Sequence, residues 1–92
     1  SLPQRYIINV HPSILPEFKG LNAIQQALES GAKYTGVTIH YVDEGIDTGD
    51  IIQQETIKIN ENDTIKSLKK RLQSLEHDLF PKVIKNILSK IK

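Results

Sequence analysis

Apolar and polar positions recur along this chain with two different periods, and the change of period marks its elements. Gly36 to Val42 switches at every residue, placing Val37, Ile39 and Tyr41 on one face and Thr38, His40 and Val42 on the other. A period of two predicts a strand. Upstream, the uninterrupted run Tyr6-Ile7-Ile8 closing at Asn9 predicts a short strand over 6–9, buried on both faces. Ile51 to Ile59 resumes β character with Ile57 and Ile59 in alternation, so it is expected to pair antiparallel with 36–42 across the acidic turn Asp43–Asp50.

Elsewhere the apolar spacing is three and four. Leu21, Ile24, Ala27 and Leu28 predict an amphipathic helix over 21–30, with Asn22 able to cap its start and Gly31 standing where a C-terminal glycine belongs. Ile65, Leu68, Leu72, Leu75 and Leu79 mark one face of a long helix, for which Asp63 or Thr64 is the candidate N-cap. Pro81 lacks an amide hydrogen and crowds the preceding turn, so it is expected to kink this helix or to start a second. Val83, Ile84, Ile87, Leu88 and Ile91 carry the apolar face onward. Between the first strand and first helix, His11 to Gly20 contains Pro12, Pro16 and Gly20 and reads as an ordered loop. There is no internal repeat, low-complexity tract or interdomain linker.

Composition narrows the function classes. A chain of 92 residues holds one domain at most, with a core that is small or shared. Hydrophobic residues at 38% and charged residues at 25% argue against disorder. The net charge of +1 offers no electrostatic reason for nucleic acid or an anionic membrane as main partner. Cys is absent, which removes disulfides, thiolate metal sites and cysteine nucleophiles. No segment approaches the ~20 apolar residues that span a bilayer, and a cytoplasmic location is the default. The missing initiator Met and early first strand raise the expectation of a piece of a larger protein.

Three polar clusters fall near predicted strand ends: Asn9 with His11, Thr38 with His40, and the acidic turn ending near Asp47. Asn9 and His11 are two residues apart and share a face where the strand ends, the place at which open α/β sheets bind ligands. A carboxylate near an imidazole favours its protonated form, giving a proton donor, and an adjacent amide can hold a developing oxyanion. This set suits acyl transfer, in which a tetrahedral intermediate forms and a leaving amine must be protonated. Ser13 lies outside any Gly-x-Ser-x-Gly elbow, so no covalent nucleophile is apparent. Each residue also has an ordinary reading: His40 as a hydrogen-bonded structural histidine, Asp47 as a turn residue before Thr48-Gly49. A metal site from His11, His40 and Asp47 lacks tight ligand spacing, and no metal is expected. The lysines of the last helix alternate with Glu76, Asp78 and the apolar stripe, as a solvated face does, so RNA binding is not expected.

Taken in order, the stretches Asn9-Val10-His11-Pro12-Ser13-Ile14-Leu15-Pro16, Phe18-Lys19-Gly20-Leu21-Asn22-Ala23, Gln26-Ala27-Leu28, Gly36 to Gly49 and Glu76-His77 resemble the phosphoribosylglycinamide formyltransferases, folate-dependent enzymes of purine synthesis. The likeness runs along nearly the whole chain. It implies an α/β fold, the carboxyl-terminal half of a formyltransferase-type Rossmann-like domain, with a short mixed sheet containing an antiparallel strand pair and two main helices.

The same resemblance implies a catalytic trio of Asn9, His11 and Asp47, with His11 as proton donor and oxyanion stabiliser. Asp47 would support its protonation and Asn9 would orient the formyl oxygen. The cosubstrate is 10-formyltetrahydrofolate, bordered by Asn9 and by Asp43, Glu44, Gly45, Ile46 and Asp47. Gln73, Ser74, Leu75 and Glu76 would approach glycinamide ribonucleotide, and Thr38 and His40 would line the site behind the trio. The family's amino-terminal nucleotide-binding half has no counterpart in residues 1–92, so the whole chain reads as the carboxyl-terminal catalytic portion, with little or no activity alone. Methionyl-tRNA formyltransferases share the Asn-x-His and later Asp, but Pro12 and the Gly20-Leu21-Asn22 context disfavour them; formyltetrahydrofolate hydrolases are more similar still, with the same trio, and differ in usually carrying another His in place of Pro12. A reading of another class is a non-catalytic fragment whose bare sheet edge drives self-association.

Overall fold

The computed structural model describes residues 7–42 and 49–90, and the statements below concern those residues. They form, in order, β1 (Ile8–His11), α1 (Ala23–Glu29), β2 (Tyr34–Tyr41), β3 (Ile51–Lys58) and α2 (Ile65–Lys90). The α/β class and the two helices are as the sequence leads one to expect. The sheet has the order β1-β2-β3. Instead of being mixed, it is antiparallel in both of its pairings, with Asn9 opposite His40, His11 opposite Thr38, and Thr38 opposite Gln54.

Alternation sorts the sheet into two unlike faces. Val37 and Ile39 point to one side, where they form a core with Leu68, Leu72, Leu79 and Val83 of α2. Ile24 and Leu28 of α1 and Ile57 of β3 pack against that cluster. Asn9, His11, Thr38 and Gln54 lie at matched positions of the other face, which carries the functional candidates.

Two local expectations are corrected. The first helix begins at Ala23, and Leu21 is exposed. Gly20 and Asn22 both take left-handed φ values, 80° and 63°, and turn the chain before the helix starts. Asn22 occupies the N-cap position without a side-chain capping bond, and Gln26 secures the turn by donating to the Leu21 carbonyl at 2.8 Å. At the other end Gly31 behaves as predicted. Its φ of 72° lets the Ala32 amide reach the Ala27 carbonyl while its own amide reaches Leu28, the paired bonds of a Schellman ending.

The second correction concerns one of the two outcomes expected at Pro81: no second helix starts there, and Pro81 lies inside α2, one continuous helix of 26 residues. A proline in the interior of a helix costs on the order of 3 kcal/mol. Here the apolar stripe continues on both sides of it, through Leu72 and Leu79 before and Val83 after, so packing holds the helix together. The start of α2 is capped by reciprocal bonds: the Ser67 amide donates to Thr64 Oγ1, and the Thr64 amide donates to Ser67 Oγ. Thr64 is therefore the cap. Asp63 instead binds Arg71, whose guanidinium also donates to the Lys58 carbonyl, and so ties the end of β3 to the second turn of α2.

Candidate active site

The first strand spans Ile8–His11, so His11 closes it. The Val42 amide donates to the Ile7 carbonyl at 2.8 Å, which makes 7/42 a bonded pair; antiparallel alternation then gives 9/40 and 11/38 the same role. The backbone groups of Ile8 and Val10 consequently point away from β2, to the outer edge. The Val10 amide is met there by Asn9 Oδ1 at 2.9 Å. Asn9 is exposed and His11 is 6% exposed, on one face, as the spacing predicts.

The imidazole of His11 is held by its own loop. Nε2 lies 2.8 Å from the Phe18 carbonyl, and because a carbonyl only accepts, Nε2 carries the hydrogen. Phe18 has a φ of 54°, unusual for a residue with a Cβ and worth roughly 1–3 kcal/mol of strain. The hydrogen bonds of the loop offset it: Ser13 Oγ donates to the Glu17 carbonyl at 2.6 Å and reaches that of Phe18 at 3.4 Å.

Thr38 and His40 stand across the strand pair from His11 and Asn9. The Thr38 hydroxyl is fully buried; it donates to the Ser13 carbonyl at 2.7 Å and accepts from the Leu15 amide at 3.0 Å. It also accepts from Gln54 Nε2 at 3.0 Å, and Gln54 donates to the Leu15 carbonyl at 2.9 Å. All three hydrogen-bonding positions of that hydroxyl are used within the protein, so Thr38 fastens the loop to the sheet. His40 is buried and donates from Nδ1 to the Tyr41 carbonyl at 2.9 Å. Ser13, Phe18 and Gln54 escaped sequence reasoning. The only available signal for Gln54 was its place in a strand opposite the Thr38 face, which is invisible until the register is known.

On the other side of β1, a hollow of about 130 Å³ is lined by Val10, Pro12, Ile24, Val37, Lys69, Leu72, Gln73 and Glu76. It brings Gln73 and Glu76, residues 62 and more positions away in sequence, beside the strand that ends in His11. Ser74 is exposed and Leu75 packs on the core, and neither lines the hollow. Asp43, Glu44, Gly45, Ile46 and Asp47 lie outside the described residues. Among the described residues no group of three or more His, Cys, Asp or Glu is placed to hold a metal ion, and no helix is long and apolar enough to cross a membrane.

Residues 1–84 match the model of the family described as Formyl transferase. The chain belongs to the formyl transferase family. Over 82 residues it is 52% identical to the phosphoribosylglycinamide formyltransferase of Bacillus subtilis (strain 168), an overlap of 89% of this chain and 42% of that protein. It is 45% identical over 83 residues to the trifunctional purine biosynthetic protein adenosine-3 of Homo sapiens, covering 90% of this chain and 8% of that one. Among solved structures, phosphoribosylglycinamide formyltransferase from Bacillus halodurans superposes with a TM-score of 0.89 at 53% identity, over 94% of this chain and 44% of the other. The enzyme from Anaplasma phagocytophilum gives 0.90 at 44% identity, over 100% of this chain and 49% of the other. This formyl transferase chain thus spans less than half the length of the relatives it matches.

Proposed function

We propose that this chain is the carboxyl-terminal catalytic portion, residues 1–92, of an enzyme that transfers the formyl group of 10-formyltetrahydrofolate to the amine of glycinamide ribonucleotide in purine biosynthesis. The observation that carries the reading is the placement of His11 and Asn9 on one face where β1 ends, with the Gln73 and Glu76 hollow beside that strand. Sequence identity of about half to relatives bearing that name supports it.

In this reaction the amine attacks the formyl carbon directly and a tetrahedral oxyanion forms. His11 donates to that oxygen, the NH2 end of the Asn9 carboxamide orients it, and Asp47 moves the proton from the attacking amine towards the leaving folate nitrogen. The stretch Asp43–Asp47 borders the pterin, and Glu76 accepts hydrogen bonds from ribose hydroxyls. The protein works in the cytoplasm and takes its other half-site from an amino-terminal α/β unit.

The test is formyl transfer by this polypeptide, alone and with the amino-terminal part of the Bacillus subtilis relative supplied as a separate chain. Turnover only in the mixture is the expected result. No turnover in the mixture overturns the reading, turnover by the chain alone at the rate of an intact relative overturns the half-site requirement, and formate release without acceptor assigns it to hydrolysis.

A further inference from the structure

We propose that Gln54 on β3 is a positioning residue for His11, acting through Thr38 and the loop 13–18 to present the imidazole as its Nε2–H tautomer. The chain of contacts is continuous. Gln54 Nε2 donates both to the Leu15 carbonyl and to Thr38 Oγ1, and the Leu15 amide donates to the same oxygen. With both acceptor positions of the Thr38 hydroxyl occupied, its hydrogen has one direction left, towards the Ser13 carbonyl, where it is found at 2.7 Å.

Ser13 is thereby fixed, and its own hydroxyl holds the Glu17 and Phe18 carbonyls from below. The Phe18 carbonyl then meets His11 Nε2 at 2.8 Å. A hydrogen bond at one ring nitrogen decides which tautomer the neutral ring adopts. Nε2 keeps its hydrogen, so the lone pair of the neutral ring sits on Nδ1. On the formyl-transfer reading, and only on it, Nδ1 is therefore the nitrogen through which the protonated ring donates to the oxyanion.

Gln54 reaches Leu15 across 39 positions of sequence and from the far strand of the sheet. The loop on its own has no comparable anchor, since its amide-to-carbonyl bonds are local, Ser13 to His11 and Glu17 to Ile14. Without the Gln54 amide, a buried carbonyl loses its donor and the Thr38 hydrogen regains a choice of direction.

Long-range 1H–15N correlation of the 15N-labelled chain, at a pH where histidine is neutral, reads the tautomer directly, with the His11 signals assigned from a His11→Gln variant. The wild-type ring is expected in the Nε2–H form. Gln54→Met, which keeps side-chain length and removes both donated bonds, is expected to shift His11 towards a mixture of tautomers while α2 amide signals stay in place. Thr38→Ser should retain the wild-type pattern and Thr38→Val should lose it. A wild-type ring in the Nδ1–H form overturns the proposal whatever the variants do, and so does a folded Gln54→Met chain with an unchanged His11 spectrum. Absent formyl transfer in the mixture with the amino-terminal part, alongside an intact Nε2–H signal, would instead remove the functional reading and leave this positioning in place.

Discussion

Gly36 on β2 lies directly beneath Ile14 of the loop that follows His11, so close that a Cβ at position 36 would stand 2.6 Å from Ile14 Cδ1 and collide with the Glu55 carbonyl. Ile14 could swing its terminal methyl aside, but the Glu55 carbonyl is backbone, so β2 and β3 can approach this closely at position 36 only because it carries no side chain. Gly36→Ala is expected to destabilise the chain by about 1–3 kcal/mol, the usual range for overpacking against backbone. For a domain of this size that lowers the thermal midpoint by roughly 4–8 °C per kcal/mol. An unchanged midpoint by circular dichroism would show that the β3 backbone does not press on position 36.

Acid stability is expected to depend on Asp63. The Asn60 amide, the Ser67 hydroxyl and the Arg71 guanidinium hold its carboxyl below the ordinary carboxylate range, against the opposing effect of its burial. Because its value is depressed on folding, the contribution is present above the unfolded value of 3.8 and fades as pH falls through the folded one. Asp63→Asn should therefore lower the urea midpoint at neutral pH, and the gap to the parent protein should narrow progressively as pH falls below 3.8. A difference that stays constant across that range would remove the linkage.

Thr35 is buried on the core-facing side of β2, and its hydroxyl has no hydrogen-bond partner among the described residues. An unpaired buried hydroxyl is a net cost, and Val has the same shape without it. Thr35→Val is expected to raise stability by about 1 kcal/mol in urea titration. A loss of stability would mean that the hydroxyl is satisfied in solution.

The outer edge of β1 carries the backbone groups of Ile8 and Val10, and among the described residues no strand covers it. Such an edge pairs readily with another strand. The isolated chain is expected to associate with rising concentration in light scattering. Ile8→Pro removes an outward amide without touching the β1–β2 ladder and should reduce association. Equal association of the variant would assign the contact to another surface.

His11 itself is tested in the reconstituted enzyme. His11→Ala is expected to lower turnover by about 10²- to 10⁴-fold, the range for loss of a general acid or base. Steady-state rates comparable to the parent would exclude it from proton transfer.

Much of this protein was legible in its one-dimensional pattern. The alternation of Val37 and Ile39 with Thr38 and His40 announced β2, and the stripe from Leu68 to Val83 announced α2, because a residue's neighbours within one strand or helix are set by a period of two or 3.6. The Asn9-x-His11 spacing placed two functional candidates on one face for the same reason, and Gly31 ended α1 through a conformation that glycine adopts freely. What only the tertiary structure decided are relationships between elements. Register set Gln54 opposite Thr38, packing carried α2 through Pro81, and the left-handed turn at Asn22 moved Leu21 out of the helix. These depend on which strand pairs with which and on how much apolar area a helix buries, quantities that a local period does not contain.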